Sequence, residues 1–394
     1  MKILLVNHLL DPVSGGGTAE RTFQLARFLA VAGAKCTVLT LDIGIGHDVK
    51  ASSRGGVRIV AVPCLNRRFF IPVMRRGMID ALVADADVVH LSGHWTILNA
   101  LTFRACLRHD KPFLFCPAGA LKPFGRSRFL KWCYDAFAGR KLARSAAACI
   151  AITENEKSDF SECGVLPARV FVIPNGIDPD EYLLEDAQGA VARFRRASSV
   201  GESRFLLFLG RLNSIKGPDL LLEAFSRIAA RVPDVHLVLA GPDDGMREML
   251  ETSVSSLQLC GRVHFPGYIG GADKVAALHA AAILVIPSRR EAMSIVVLEG
   301  GICGCPAVFT DACGLDAIAD EGAGVMVPVS VEAIASALES LLQDEAELQR
   351  SGELLRRIVQ RHYLWQSQAE QLLALAAQVA TNTSKKPCAG SGAV

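Results

Sequence analysis

Two glutamates flank a short polar turn between a buried apolar run and a helix, within residues 288–306. Ser294 is a suitable N-cap for that helix, and the free backbone amides of a first helical turn bind anions. Glu291 precedes the helix and Glu299 lies inside it. Because each carboxylate can accept two hydrogen bonds from a diol, this arrangement predicts a ligand that carries both a phosphate and sugar hydroxyls.

A second polar turn, GRLNSIKGPD, follows the predicted strand 204–209 and carries Arg211 and Lys216. An arginine fork and a lysine point charge bind a diphosphate well, although two basic residues exposed in a loop are the alternative interpretation. Topology favours the site, because open α/β sheets bind ligands beyond the C-terminal ends of their strands. The residues in that position, predicted to converge on one crevice between two domains, are Arg211, Lys216, Gly241 and Glu291.

Composition indicates a soluble α/β protein of two domains, since one core is improbable for 394 residues with 51% hydrophobic and 6% aromatic content. A net charge of +2 without a basic run argues against nucleic acid as a partner. The first eleven residues suit a strand better than a signal peptide, and no window of about 18 apolar residues occurs. We therefore expect a cytoplasmic protein.

The cysteines, twelve in number, are scattered and read as buried thiols of a reducing compartment. Cys303, Cys305 and Cys313 lack the spacing of a zinc site, so no metal is predicted. Asp85 and Asp87 form a D-x-D pair, but they precede a strand and are interpreted as solvated turn residues.

The first half opens with a predicted strand at 3–7, a glycine-rich turn at 15–17, and a helix that Thr18 caps and Gly33 ends. With the next strand at 35–41, this is the start of a Rossmann-like unit. Three consecutive glycines do not satisfy the dinucleotide fingerprint, so a NAD site is disfavoured.

Alternation of strands and helices continues through both halves. The further predicted strands are 57–62, 88–91, 113–116, 147–153, 170–173, 235–240, 263–265, 281–287, 307–310 and 324–327. The predicted domains are 1–178 and 179–380, with a charged connection over 180–203 and a disordered tail over 381–394. We expect the last helix, 365–379, to cross back to the first domain.

Together these residues resemble the retaining glycosyltransferases of family 4. The matching segments are GRLNSIKGPDLLLEAF, REAMSIVVLEGGICGCPAVFTD with its E-x7-E pattern, VIPNGID, the GGG turn and DVVHLSGHW, which span about residues 1–380. The resemblance implies the GT-B fold, in which two Rossmann-like domains face each other across a cleft. It also implies a metal-independent enzyme that needs no cofactor.

The resemblance further implies a role for each matching residue. Arg211 and Lys216 would hold the donor diphosphate, Glu299 the ribose and Glu291 the transferred sugar. Further donor contacts would come from the backbone amides at Ser294 and Ile295 and from Gly241 in the donor site. Gly16 and Gly17 would add contacts from the first domain.

Three departures from the family pattern occur, and one of them alters a His-x-His pattern to His90 followed by Ser92 and His94. Ala292-Met293-Ser294 replaces a glycine-rich run, and Pro117-Ala118-Gly119 replaces a Pro-His-Gly, so the histidine that contacts the donor sugar is absent. His94 is then the best first-domain candidate for a catalytic contact with sugar or acceptor. A structural imidazole at a strand end is the alternative.

Two basic and aromatic segments, 122–144 and 66–76, leave a further question open. Either their aromatics face the domain core, or the segments lie on an anionic bilayer at the inner face of the cell membrane. The second interpretation suits a lipid-linked acceptor, because the first domain binds the acceptor in this family.

The function predicted is transfer of a sugar from a nucleotide-sugar, with retention, to a sugar or lipid-linked acceptor in cell-surface polysaccharide or glycolipid synthesis. The alternatives are another GT-B enzyme, such as a nucleotide-sugar epimerase or a sugar phosphorylase, and a non-catalytic partner protein of the same fold.

Overall fold

A computed structural model describes residues 1–45, 56–122 and 128–384. The chain forms two compact units, one of Met1–Asn175 together with the chain from Trp365 onward, and one of Gly176–Leu364. The last helix therefore belongs to the first unit.

The first unit is built on a parallel seven-stranded sheet. Its strands are β1 Lys2–Val6, β2 Lys35–Leu41, β3 Arg58–Val62, β6 Val88–Ser92, β7 Phe113–Cys116, β8 Ala148–Ala151 and β9 Val170–Val172, in the order β3-β2-β1-β6-β7-β8-β9. A separate hairpin pairs β4 Cys64–Asn66 with β5 Ile71–Pro72. The strand order reverses between β1 and β6, so the turns after these strands border a topological switch point, where such sheets bind ligands.

Helices cover this sheet and complete the first unit. They are α1 Pro12–Val31, α2 Met78–Asp85, α3 Ile97–Arg108, α4 Arg128–Tyr134, α5 Arg140–Ser145, α6 Glu156–Glu162 and α15 Trp365–Ser384. A π-helical turn, Asp135–Gly139, joins α4 to α5. Helix α15 packs on α1 and extends through Ser384, so the first four residues of the predicted tail are helical, and the remainder lies outside the described residues.

The glycine-rich segment after β1 differs from the open turn predicted there. Helical turns begin at Pro12, and Gly16 interrupts them with φ 55° and ψ −146°. Thr18 therefore does not cap a helix, because the chain is already helical on both sides of the break. Gly33 adopts φ 89° just beyond the end of α1, as predicted for a C-terminal glycine.

The second unit repeats the design with a parallel six-stranded sheet. Its strands are β10 Arg204–Leu209, β11 Val235–Ala240, β12 Val263–Gly267, β13 Ile283–Ile286, β14 Ala307–Thr310 and β15 Val325–Val327, in the order β12-β11-β10-β13-β14-β15. The switch point here lies between β10 and β13.

The helices of the second unit are α7 Ala187–Ala197, α8 Pro218–Ile228, α9 Arg247–Ser256, α10 Gly271–Ala280, α11 Ile295–Ile302, α12 Asp316–Asp320, α13 Val331–Gln343 and α14 Glu345–His362. The charged segment 180–203, predicted to be a connection, instead contributes α7, which packs on α10. The prediction was wrong because the helix buries only Ala190 and Phe194 and leaves Arg193 and Arg196 in solvent, so its sequence resembles a charged connection.

Each sheet is buried on both faces, as continuous apolar strands require. Apolar residues of strands and helices form one core cluster in the first unit and another in the second. The D-x-D pair is a surface feature: Lys2 Nζ lies 2.5 Å from Asp85 Oδ1, and the Lys2 amide donates to Asp87. Within the described ranges, no helix is long and apolar enough to span a bilayer.

Candidate active site

The turns after β10 and β13 meet at the switch point of the second unit. The Arg289 guanidinium donates to both Asp219 carboxylate oxygens, at 2.8 and 2.6 Å, and to the Ser214 carbonyl oxygen at 2.8 Å. The Arg289 amide also donates to the Ile215 carbonyl oxygen. The two turns are therefore fixed to each other through backbone as well as side chains.

Lys216 and Glu291 pair across these turns. Lys216 Nζ lies 2.9 Å from Glu291 Oε1, and the Ser288 hydroxyl donates to the same oxygen at 2.6 Å. The Glu291 side chain is 10% exposed and that of Lys216 is 24% exposed. One carboxylate oxygen is thereby anchored, while Oε2 has no hydrogen-bond partner among the described residues.

Glu299 is held in the same manner by a residue that the sequence did not single out. Lys274 Nζ, from α10, donates to Glu299 Oε1 at 3.0 Å and to the Tyr182 hydroxyl at 3.2 Å. Glu299 faces inward from α11 and is 9% exposed. Each of the two predicted hydroxyl acceptors thus has one carboxylate oxygen fixed by a lysine.

Arg211 is more loosely held. Its Nη1 lies 3.6 Å from Asp244 Oδ2, and both side chains are about half exposed, at 51% and 49%. Asn213 links the neighbouring turns, because its side-chain amide donates to Asp244 Oδ2 at 2.7 Å and accepts from the Lys216 amide at 3.0 Å. An exposed guanidinium tethered at this distance can turn toward an anionic ligand at little cost.

Gly241 follows β11, and the backbone conformation at this position requires a glycine. It adopts φ 150°, and a Cβ there would lie 1.8 Å from the Gly210 carbonyl oxygen. Its own amide donates to the Gly267 carbonyl oxygen at 2.8 Å. Gly241 therefore allows the turns after β10 and β11 to approach closely.

Helix α11 begins beyond these turns. Ser294 occupies the N-cap position with φ −74° and ψ 109°, but its hydroxyl makes no capping hydrogen bond. Ser294 is fully buried, and Oγ has no hydrogen-bond partner among the described residues. The first amides of α11, starting at Ile295, have no side-chain cap, which leaves this terminus able to bind an anion.

Gly16 and Gly17 lie at the break within α1, the helix that follows β1 at the switch point of the first unit. Nothing lies within 4 Å of the position that a Gly16 Cβ would take. The side-chain amide of Asn7, at the end of β1, donates to the Thr18 carbonyl oxygen at 3.0 Å and fixes this part of α1.

His94 lies after β6 in the same unit and is built into a polar cluster. His94 Nε2 lies 2.8 Å from Asp135 Oδ1, and the Trp95 indole N–H donates to that oxygen at 3.1 Å. Lys131 Nζ lies 4.5 Å from the centroid of the Trp95 ring. Trp95 adopts φ 52°, a conformation that a bulky residue holds only where its surroundings impose it.

The π-helical turn supplies Asp135 to this cluster and leaves no room for a side chain at Gly139, where a Cβ would overlap Asp135 and lie 2.9 Å from His94 Cε1. His94 Nδ1 and the Tyr134 hydroxyl are buried without hydrogen-bond partners among the described residues. Burial, with the neighbouring Asp135 charge, raises the pKa of Tyr134. π-helical turns of this kind often occur at functional sites.

The Ala118 position, where the family histidine is missing, retains an unusual backbone. Ala118 adopts φ 51°, and the adjacent Gly119 amide donates to buried Glu156 at 2.6 Å. Glu156 also accepts from the Ile152 amide at 2.8 Å. Burial raises the pKa of this carboxyl, while the two amides oppose the rise.

The basic and aromatic segment exposes several apolar side chains between residues 129 and 144. Its exposed apolar side chains, which we call the aromatic face, are Phe129 at 72%, Leu130 at 52%, Trp132 at 62% and Phe137 at 84%. Tyr134 points inward beside His94, with ring centroids 5.3 Å apart. The alternative in which the aromatics of this segment face the core is thus wrong for Phe129, Trp132 and Phe137, whereas Phe124 and Arg126 lie outside the described residues.

No group of three or more histidine, cysteine or carboxylate side chains in the described ranges is arranged to hold a metal ion. Burial raises the pKa values of Cys303, Cys305 and Cys313 to about 12. All three cysteines are free thiols.

Two family models match the chain, and together they cover both units. The model described as Glycosyl transferases group 1 matches residues 192–362, and the model described as Glycosyltransferase Family 4 matches residues 15–181. An uncharacterized glycosyltransferase of Methanocaldococcus jannaschii is 30% identical over 387 residues, which are 94% of this chain and 96% of that protein. The chain belongs to the group 1, family 4 glycosyltransferases.

Other relatives of this glycosyltransferase have named activities. A D-inositol 3-phosphate glycosyltransferase of Xylanimonas cellulosilytica is 25% identical over 411 residues, covering 94% of this chain and 93% of that protein. An alpha-D-kanosaminyltransferase of Streptomyces kanamyceticus is 26% identical over 241 residues, covering 61% and 62%.

Solved structures show that the fold of this glycosyltransferase is GT-B. Anabaena HepE, crystallised in complex with UDP-glucose, matches with a TM-score of 0.78 at 19% identity, covering 96% of this chain and 100% of that one. WaaG, a glycosyltransferase involved in lipopolysaccharide biosynthesis, matches with a TM-score of 0.68 at 19% identity, covering 95% and 99%.

Sequence reasoning missed the partners that hold the predicted site residues. Asp244 lies in a GPDDG turn after β11, so its strand-end position could have indicated it. Lys274 and Asp135 lie in helical segments with no distinguishing spacing, and only the folded chain places them beside Glu299 and His94.

Proposed function

We propose that this glycosyltransferase transfers a sugar from a nucleoside diphosphate sugar to an acceptor with retention of anomeric configuration and without a metal ion. The observation that carries the proposal is the pair of lysine-anchored glutamates, Glu291 and Glu299, on either side of the uncapped start of α11. Such a site offers acceptors for two sets of sugar hydroxyls around an anion site. The complex of Anabaena HepE with UDP-glucose supports the choice of donor.

In this proposal the second unit stabilises the departing diphosphate. Lys216 and Arg211 supply positive charge, and the first amides of α11 donate hydrogen bonds to phosphate oxygens. Glu299 accepts from the ribose hydroxyls, and Glu291 accepts from hydroxyls of the transferred sugar through Oε2. Two cations and a helix terminus provide the charge neutralisation that a metal would otherwise supply.

Retention follows from attack on the same face from which the diphosphate leaves. The bond from the anomeric carbon to the phosphate oxygen breaks, and the bond from that carbon to the acceptor oxygen forms. The acceptor proton passes to the departing phosphate oxygen. Neither glutamate of the site acts as a nucleophile in this step, because the acceptor oxygen attacks the anomeric carbon directly.

On the acceptor side, His94 contributes by positioning. One ring nitrogen contacts Asp135 and the other is buried, so the cluster fixes Trp95 in its strained conformation beside Lys131. Trp95 is then the residue of this cluster best suited to contact an acceptor sugar, because aromatic rings bind the apolar faces of sugars.

The aromatic face supports a lipid-linked acceptor and peripheral contact with an anionic membrane at the cytoplasmic side. Arg140 and Lys141 are exposed beside it and would meet anionic lipid headgroups while the aromatic rings enter the interface. A glycolipid or a lipid-linked polysaccharide precursor would present its sugar at the inner face of that membrane.

The test is a screen of nucleoside diphosphate sugars for hydrolysis and transfer, run with and without excess EDTA. We expect one donor to be consumed at the same rate under both conditions, and α-linked donors to give α-linked products by proton NMR. Loss of activity in EDTA would contradict metal independence, and an inverted product would contradict the mechanism.

A non-catalytic role is the competing function, motivated by Ala118 in place of the family histidine. It predicts that a nucleotide-sugar binds but is neither hydrolysed nor transferred under any condition of the screen. An epimerase would instead convert the sugar and release no glycoside.

A further inference from the structure

Lys274 lies between Glu299 and Tyr182 and contacts both through its ammonium group. Its Nζ is 3.0 Å from Glu299 Oε1, 3.2 Å from the Tyr182 hydroxyl oxygen and 5.2 Å from the centroid of the Tyr182 ring. The Lys274 side chain is 29% exposed and that of Glu299 is 12% exposed. Three contacts in one partly buried place define the position of the ammonium group more narrowly than a surface ion pair does.

Tyr182 is itself a fixed partner. It is 6% exposed and ends the short 3-10 helix Pro179–Tyr182, whose start is capped by the Asp178 carboxylate accepting from the Asp180 amide at 3.1 Å. The ring and the hydroxyl group of Tyr182 therefore give the Lys274 ammonium group two contacts in addition to that with Glu299.

The contact with Lys274 involves only one of the two carboxylate oxygens of Glu299. Oε1 accepts from Lys274, whereas Oε2 has no hydrogen-bond partner among the described residues. The adjacent ammonium group anchors the carboxylate, and both hydroxyls of a diol can donate to its oxygens. Anchoring one oxygen also restricts rotation of the side chain, so a ligand meets an acceptor that is already oriented.

We propose that Lys274 is a positioning residue for the nucleotide, which holds Glu299 oriented toward the ribose diol, with Tyr182 fixing the lysine. This inference rests on the proposed function, in which Glu299 binds the ribose. It adds a residue outside the matched family motifs to the donor site, and it predicts that Lys274 acts only through Glu299.

The experiment is isothermal titration calorimetry of the full chain with UDP, GDP and ADP. For the nucleotide that binds, Lys274→Met is expected to raise Kd about tenfold, the scale of one hydrogen bond to a charged group. Lys274→Arg, which restores a cation, should recover most of the affinity. Tyr182→Phe removes only the hydroxyl contact and should raise Kd about threefold, which keeps the test informative if Lys274→Met does not fold.

Arg227→Met is the matched control, because Arg227 forms ion pairs with Glu223 and Glu332 elsewhere in the second unit. This variant should bind nucleotide as the wild type does. If Lys274 had a purely structural role, Lys274→Met would lower the melting temperature and leave Kd unchanged.

The double variant Lys274→Met/Glu299→Gln decides the mechanism. Its Kd should equal that of Glu299→Gln alone, because a lysine that acts through Glu299 has nothing to position once the carboxylate is gone. The Lys274 role alone would be overturned if the losses of affinity in the two single variants were additive. It would also be overturned if folded Lys274→Met bound nucleotide with the wild-type Kd while Glu299→Gln bound weakly. Wild-type protein that binds none of the nucleotides, or unchanged binding by Glu299→Gln, would overturn the donor assignment and the Lys274 role with it.

Discussion

Replacing Lys216 by Met removes one cation of the proposed diphosphate site and keeps most of the side-chain stem. The turn that carries Lys216 should persist, because its backbone amide is bound by Asn213 and the adjacent turns are joined by Arg289 and Asp219. Glu291 also keeps its hydrogen bond from Ser288. The perturbation is therefore confined to the charge.

The structure sets the size of the two expected effects. The Lys216 and Glu291 side chains are 24% and 10% exposed, so their pair lies between a solvated pair and a fully buried one. Loss of the lysine should lower the free energy of unfolding by about 1–2 kcal/mol. Loss of charge stabilisation in the transition state should lower kcat/KM about 10²-fold, or by about 2.7 kcal/mol.

The assay compares kcat/KM for donor consumption in Lys216→Met, Arg211→Ala and the Arg227→Met control, with melting temperatures measured in parallel. Both site variants should be folded and at least about 10²-fold less active, and the control should match the wild type. Turnover near that of the wild type in either folded site variant would refute the assignment of the diphosphate to these turns.

Three further predictions concern stability and surface contact. Gly241→Ala should lower the free energy of unfolding by more than about 3 kcal/mol, because the new Cβ would collide with the Gly210 carbonyl oxygen. Gly245→Ala, which has open space around it at φ 93°, should lower it by about 1–2 kcal/mol, and urea unfolding of both variants measures the difference. Burial lowers the pKa of His90 to about 3, so the fold favours the neutral form, and this group should lower the free energy of unfolding by about 1.4 kcal/mol per pH unit as pH drops below about 6.5. His90→Gln should therefore lose less stability than the wild type between pH 7 and pH 5 in unfolding experiments. In sedimentation with anionic liposomes, the protein should bind at 0.1 M salt and be released at 1 M, because the Debye length falls from about 10 to about 3 Å. The variant Arg140→Glu/Lys141→Glu should not bind, and binding equal to that of the wild type would exclude the aromatic face as a membrane contact.

Much of the fold could be predicted because the buried parallel strands read as continuous apolar runs. Strands β2, β7, β10, β11 and β14 have the predicted bounds. The sequence was less informative where a helix buries little apolar surface, as in α7, and where glycines suggested an open turn that proves to be a break within α1. In both places tertiary packing overrides the local pattern.

The candidate site was predictable as a set of strand-end positions, since parallel strands bring their C-terminal ends to one edge of the sheet. The sequence does not show which lysine pairs with which glutamate. Lys216 approaches Glu291 through adjacent strands β10 and β13, and Lys274 reaches Glu299 from a neighbouring helix. Those contacts depend on helix placement over the sheet, which no spacing along the chain encodes.

The central claim is that Glu299 binds the ribose and Glu291 binds the transferred sugar. Calorimetry with a nucleoside diphosphate and with the matching nucleotide-sugar, on Glu299→Gln and Glu291→Gln, tests it most directly. We predict that Glu299→Gln weakens binding of both ligands about tenfold, whereas Glu291→Gln leaves the affinity for the nucleoside diphosphate unchanged and weakens only that for the nucleotide-sugar. Equal losses of nucleoside diphosphate affinity in the two variants would contradict this account.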